Sequence, residues 1–298
     1  MAQTVGQGKW TFEVVPGWGR SADRPQLGLV SGVAGDAADN VYVFQRTPEG
    51  LVLVFDREGR LLRTWGQGDF SHAHGIWIGH AGPGAAGPTA GQSVALLTDR
   101  DLHQVFRYSL DGERLDAWGT AGTPGAPGEP FNQPARAVAT PEGEVYVADG
   151  YGQHRVHRFD PSGKRLVSWG REGTGPGEFG WPVHDVLPDP RGRLLVADRS
   201  NGRIQHFTPD GAYLGEWAGL GAPQQMVLTL EGEVIVAEGT GSIAVLSLDG
   251  DLLARWGEKG EAPGQFAASP HSLWLDSRGD LYVGEVTTPD RFQKFVRR

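Results

Sequence analysis

Three histidines stand at one position of a repeating pattern. His184 lies fourteen residues before Asp198 and His271 fourteen before Glu285; with the greater part of the Gly/Ala/Pro-rich insertion at 79–92 set aside, His74 takes the same place before Asp99. The chain has nine histidines in 298 residues, so three falling at one repeat position by accident is a poor explanation. Three neutral imidazole nitrogens plus one open position make the donor set of a catalytic zinc ion. Any one of them alone would more often be a hydrogen-bonded structural residue. As a set, His74, His184 and His271 point to a metal site. The other six, His72, His80, His103, His154, His157 and His206, lack this spacing and are expected in surface or strand roles.

Groups suited to a polar, anionic substrate accompany the set. Arg46 and Arg199 each follow the end of a predicted strand, and a guanidinium is a natural fork for a carboxylate. The alternative is that they pair with Asp198 or neighbouring acids. Tyr151, in the run ADGYG, falls near the corresponding turn of another copy. A phenol beside a dication can give up its proton and act as a base, although an isolated tyrosine more often packs or donates a hydrogen bond. The expected partner is a small molecule bearing a carboxylate.

The elements that must position these residues recur along the whole chain. Trp18, Trp65, Trp118, Trp169, Trp217 and Trp256 are spaced by 47, 53, 51, 48 and 39 residues. Each interval holds a Gly/Pro-rich loop, an apolar strand, a tight turn, a second strand ending in a polar or acidic residue, and two more strands. Four short strands in series form a meander, and radial repetition of meanders is a β-propeller. Six copies are counted, near 29–65, 66–118, 119–169, 170–217, 218–256 and 257–298, giving an all-β, six-bladed propeller in one domain, 1–298. The last copy is one strand short, while Trp10 to Val15 is a surplus strand at the start. This N-terminal strand is therefore predicted to complete the sixth blade and remove an open edge. Alternate blades of such a ring are related by about 120°, which lets histidines of copies two, four and six converge. Asp99, Asp149, Asp198, Glu238 and Glu285 all end second strands, where a carboxylate is expected to accept hydrogen bonds from a turn.

Composition agrees with a turn-rich globular chain. Glycine, at 46 residues, is about twice its ordinary share and is spread throughout with 20 prolines. A formal charge of -9 argues against a nucleic-acid or anionic-membrane partner, because phosphate binding needs clustered Lys and Arg. Absence of cysteine removes disulfides and thiolate chemistry. The first residues lack a basic start followed by an apolar run, and no segment approaches 18 apolar residues, so a cytoplasmic protein is expected.

The runs FNQPARAVAT, EVYVADGYGQHRVHRFDPSGKRLVSWG, VHDVLPD and LLVADRSNGRIQHF, with LVSGVAGDAADNVYVFQR, AHGIWI, LTDRDLHQVFRYSLDG and SPHSLWLDSRGDLYVGE, resemble the NHL-repeat propeller of the peptidyl-α-hydroxyglycine α-amidating lyase (peptidylamidoglycolate lyase) family. The resemblance spans nearly the whole chain. It implies a zinc ion on His74, His184 and His271, a catalytic Tyr151, and substrate binding by Arg46 and Arg199. It also implies cleavage of the C–N bond of an α-hydroxyglycine to an amide and glyoxylate. The family's calcium uses backbone carbonyls that correspond to Val33 and Ile76 and an aspartate where this chain has Ser272, so zinc carries over and calcium does not carry over intact. The family's disulfides cannot form here, and no monooxygenase domain accompanies the repeats. The natural substrate could equally be a peptide or a small carbinolamide such as a ureidoglycolate-like compound. Two other readings stand beside the lyase: a lactonase-like metal-dependent hydrolase, whose chemistry favours oxygen ligands around calcium, and a non-enzymatic NHL scaffold that binds a protein.

Overall fold

A computed structural model describes residues 3–20, 26–80 and 91–298. Among the described residues there is no helix, and none therefore long and apolar enough to cross a membrane. The strands form six antiparallel sheets in the arrangement of a six-bladed β-propeller. By internal packing the chain falls into two compact units, Met1–Gly68 with Pro223–Arg298, and Asp69–Ala222.

The first unit carries the first, fifth and sixth sheets. Its sixth sheet holds Pro270–Leu275, Leu281–Glu285 and Phe292–Arg297, and the N-terminal strand Trp10–Val15 completes it as the spacing predicts. Val14 pairs with Phe295 and Phe12 with Arg297, which leaves Trp10, Phe12 and Val14 facing a core that includes Ile243, Trp256, Phe266 and Leu273. A fifth strand, Thr4–Gln7, lies outside it and was not legible in the repeat count. Trp18 follows this strand and packs against Phe55, Tyr282 and Phe292, while its indole N–H donates to the Arg57 carbonyl at 2.9 Å.

In the second unit, the second, third and fourth sheets follow one another as four-stranded meanders. The second strands, Ser93–Asp99, Val145–Asp149 and Leu194–Asp198, are buried almost throughout, as continuous apolar runs bounded by turns predict. The outer strands Arg114–Trp118 and Tyr213–Ala218 are polar and mostly exposed, which blunts the sheet edge. Phe131, Phe159, Val145 and Leu96 form one core of this unit, and Phe179, Phe207, Val186 and Trp169 another. Burying each large side chain contributes about 1.5–3 kcal/mol.

The carboxylates ending the second strands tie the preceding loops to the sheets. Asp99 accepts the amides of Ser71, His72, Asp101 and Leu102 at 2.8–3.0 Å. Burial pushes its carboxyl above the ordinary value, against the opposing pull of those amides. Asp198 accepts the Gly180 amide at 2.7 Å, and Arg203, not Arg199, pairs with it at 2.7 Å. Of the insertion at 79–92, residues 81–90 lie outside the described residues; the strands flanking it pair in register from Ile76 with Leu97 to His80 with Ser93.

Candidate functional site

Each histidine of the set is the second residue of a first strand, and each sits where the ladder slips. In Val183–Pro188, Val183 pairs with Asp198 but Asp185 with Ala197, so His184 is the extra residue of a bulge. In Ala73–His80 the pairing passes from Ala73 with Asp99 to Ile76 with Leu97, leaving His74 and Gly75 against Thr98. In Pro270–Leu275, Pro270 pairs with Glu285 and Ser272 with Gly284, so His271 is again the extra residue. A bulge re-aims one side chain out of the regular alternation and is common beside active sites.

Backbone carbonyls then fix the rings. His74 Nδ1 donates to the Ala135 carbonyl at 2.7 Å, and the Thr98 hydroxyl donates to the same oxygen at 2.8 Å. Gly75 is required at this crossing: a Cβ there would stand 2.6 Å from the Ala135 oxygen and 2.9 Å from Thr98 Oγ1. His271 Nδ1 donates to the Ser31 carbonyl at 2.8 Å. With the proton held on Nδ1, each of these two rings presents a bare Nε2 lone pair, the form in which imidazole ligates a metal.

Within the second unit Tyr151 meets two of the three rings. Its hydroxyl lies 3.0 Å from His74 Nε2 and 3.0 Å from His184 Nε2, and the two imidazole centroids are 5.0 Å apart. Gly150 lets the tyrosine approach, since a Cβ there would meet the backbone of Val183 at 2.0 Å. Trp181 is half exposed, packs edge-on against the phenol ring and donates its indole N–H to the Tyr151 carbonyl at 2.9 Å. Arg199 Nη1 donates toward the Tyr151 hydroxyl at 3.4 Å, and its guanidinium stands 5.3 Å from the Trp181 ring. Arg100 lies over the same phenol, 3.7 Å from the ring centroid. A hydroxyl has one proton to donate and two imidazole nitrogens before it, so the group offers more lone pairs than it can satisfy internally.

The residues fit a nitrogen-favouring divalent ion. His74, His184 and His271 are all buried and form a group of three imidazoles that could hold a metal ion. Neutral imidazoles suit zinc and related transition metals and are poor donors for calcium. The implied calcium ligands do not fit. Ile76, whose carbonyl would be one of them, instead accepts a hydrogen bond from Arg136 Nη1 at 3.1 Å; Val33 is a paired, buried strand residue; and Ser272 offers only a hydroxyl.

Of the residues singled out in the sequence, His74, His184, Tyr151 and Arg199 are thus mutual neighbours in one unit. Arg46 follows Val41–Gln45 in the other unit, with its amide donating to the Leu29 carbonyl at 2.8 Å. Among the remaining histidines, His157 is a buried strand residue bonded to Asp149 at 3.1 Å, and His154 Nδ1 donates to the Gly180 carbonyl at 3.1 Å. Sequence reasoning missed Arg100, Trp181 and Thr98. For Arg100 a signal existed: Asp99-Arg100 repeats Asp198-Arg199 at the end of an equivalent strand.

The NHL repeat family model matches residues 131–159. Human NHL repeat-containing protein 3 is 30% identical over 291 residues, covering 86% of this chain and 76% of that protein. Peptidyl-glycine alpha-amidating monooxygenase B of Xenopus laevis is 32% identical over 61% of this chain, but the match takes in only 23% of its own length. Peptidyl-alpha-hydroxyglycine alpha-amidating lyase 1 of Drosophila melanogaster is 25% identical over 93% of this chain and 58% of its own. Among solved structures, a putative gluconolactonase superposes with a TM-score of 0.66 at 15% identity, covering 99% of this chain and 93% of that one. The WD40 β-propeller domain of Doa1 gives 0.62 at 12% identity over 99% and 94%. At such identities the superpositions establish the propeller fold alone. The chain belongs to the NHL-repeat family, with NHL repeat-containing protein 3 and the amidating lyases among its relatives.

Proposed function

We propose that the chain is a zinc-dependent carbon–nitrogen lyase that cleaves an α-hydroxyglycine-type carbinolamide to an amide and glyoxylate. The observation that carries this reading is the Tyr151 hydroxyl held 3.0 Å from Nε2 of both His74 and His184, with Arg199 beside it. The kinship with proteins named as amidating lyases supports it. His74, His184 and His271 would hold the zinc, which when bound supplies Lewis acidity toward the substrate's hydroxyl oxygen.

The rest of the chemistry belongs to side chains. The guanidinium of Arg199 pairs with the substrate carboxylate and fixes the carbinol carbon beside Tyr151, a substrate-binding role that the family resemblance also gives to Arg46. Tyr151 takes the proton of the carbinol hydroxyl. The electron pair left on that oxygen closes to the aldehyde C=O as the C–N bond breaks, and the amide nitrogen leaves with the proton passed back through Tyr151. One carbinolamide gives one amide and one glyoxylate, with no water or oxidant consumed. Trp181, packed on the phenol and half exposed, covers the ring that carries the proton.

Incubating zinc-loaded protein with α-hydroxyhippurate is expected to release glyoxylate and benzamide, and Tyr151→Phe to lower kcat by about 10²–10⁴. A zinc-loaded, folded protein that releases no glyoxylate overturns the lyase assignment, and full activity in Tyr151→Phe removes the tyrosine as base. Lactone hydrolysis in its place would favour the hydrolase reading.

A further inference from the structure

Two arginines approach Tyr151, and the nearby acids are occupied elsewhere. Arg100 and Arg199 are the residues immediately after the strands Ser93–Asp99 and Leu194–Asp198, and their amides donate to the carbonyls of His72 and Pro182 in equivalent loops. Asp99 is taken by four backbone amides, Asp101 lies against His72 at 3.5 Å, and Asp198 pairs with Arg203. Neither guanidinium has a carboxylate partner among the described residues. The Arg100 guanidinium lies 3.7 Å from the phenol ring centroid, and among the described residues no side-chain hydrogen bond holds it. A guanidinium without an anionic partner is the fork that a ligand carboxylate fits.

We propose that Arg100 is a specificity-determining residue of this site and that the ligand taken beside Tyr151 carries two carboxylates. This rests on the lyase reading only for the identity of the first carboxylate, the one held by Arg199. A monoanion is satisfied by one guanidinium fork. Arg199 Nη1 lies 3.4 Å from the phenol hydroxyl and the Arg100 guanidinium 3.7 Å from the ring centroid. Two guanidiniums at two places on one ring suit two acid groups on one short chain better than a single compact dianion such as phosphate. In a carbinolamide substrate the second acid lies on the acyl side of the scissile bond, as in an α-hydroxyglycine acylated by a dicarboxylic acid or by an acidic residue.

Binding of inert acids separates this from the lyase assignment. Zinc-loaded protein is titrated calorimetrically with glutarate, butyrate and inorganic phosphate, together with the Arg100→Gln and Arg100→Lys variants after each is shown to melt cooperatively. Glutarate is expected to bind about 10- to 100-fold more tightly than butyrate, the worth of one charge-assisted pair, and Arg100→Gln should bring the two acids within about threefold while Arg100→Lys keeps part of the preference. Equal binding of glutarate and butyrate by the unaltered protein overturns the proposal, as does a preference that survives Arg100→Gln or a preference for phosphate over glutarate. If Arg100→Gln fails to fold, the unaltered protein and Arg100→Lys still decide it. Protein that releases no glyoxylate from any carbinolamide yet keeps an Arg100-dependent preference for glutarate loses the lyase reading and retains this one.

Discussion

The second, third and fourth sheets place different residues at one repeat position and use them for different ends. In the second and fourth sheets the position holds His74 and His184, each in a bulge that turns the ring out of the ladder. In the third, the residue fourteen before Asp149 is Ala135, and the next one, Arg136, pairs with Ala148 in an unbroken register. Arg136 reaches both histidine strands: Nη1 donates to the Ile76 carbonyl at 3.1 Å, and Nε lies 2.9 Å from Asp185, the neighbour of His184. The residue before it, Ala135, supplies the carbonyl that orients His74. The middle sheet is therefore a spacer that clamps two donor strands while contributing Tyr151 from its own turn. Repeated architecture supplies equivalent positions, and the residue type at each decides which becomes a donor, since the same slip occurs at Ser31 in the first sheet and at Gln224–Gln225 in the fifth.

The sharpest way to break this division is to remove a donor. His184→Ala should reduce bound zinc from about one per chain to a small fraction of that, since three protein ligands are the usual minimum for a catalytic site. Glyoxylate release should fall with it, and metal analysis beside the activity assay checks both. Retention of zinc at full stoichiometry would mean that the bulged position is not a ligand position. The companion change acts on the tie. Arg136→Ala leaves the Asp185 carboxylate buried without its partner, which should cost about 3–5 kcal/mol in denaturant unfolding. Replacing both members, Arg136→Met with Asp185→Leu, should recover most of that loss, because a buried ion pair and an apolar pair of similar volume differ little. A single variant as stable as the parent would show that the arginine merely fills space.

Much of this was legible because repetition averages out local ambiguity. One strand such as LLVAD could be read several ways, but six copies with a tryptophan at each end fix the meander, and the missing strand of the last copy identifies Trp10–Val15 as its completion. The histidine set was legible for the same reason. The bulges were not, because a ladder slip depends on the partner strand and leaves no mark in the sequence of its own strand. The outermost strand Thr4–Gln7 was not legible either, being short, half exposed and outside the repeat. Arg100 was readable from the Asp-Arg pairs at 99–100 and 198–199, but only a structure puts its guanidinium on the face of Tyr151. Arg199 could as well have paired with Asp198; Arg203, the first residue of the next strand, takes that carboxylate instead.

A second histidine of the fourth sheet extends the comparison to a ring with no donor role. His206, two strands away from the bulge, is 5% exposed, packs on Trp217 at 4.5 Å and leaves Nε2 without a partner. Burial first, and then the charge of Arg193, pull its pKa down to about 4, against the smaller opposing effects of Asp189 and Glu216. The unfolded chain takes up this proton near pH 6.5 and the folded chain only near 4, so the stability that the neutral ring confers is complete above about pH 6.5. It falls as pH drops through that window and falls no further, on this account, below about 4. The loss should be on the order of 3 kcal/mol. Melting curves between pH 7 and 4 on the parent and on His206→Phe, which keeps an aromatic ring against Trp217, isolate this contribution. The variant should show a slope shallower by that amount, and parallel curves would mean that burial at this position does not hold the imidazole neutral. Zinc binding should be unchanged in the variant, because the ring packs on Trp217 of the outer strand and not on Tyr151.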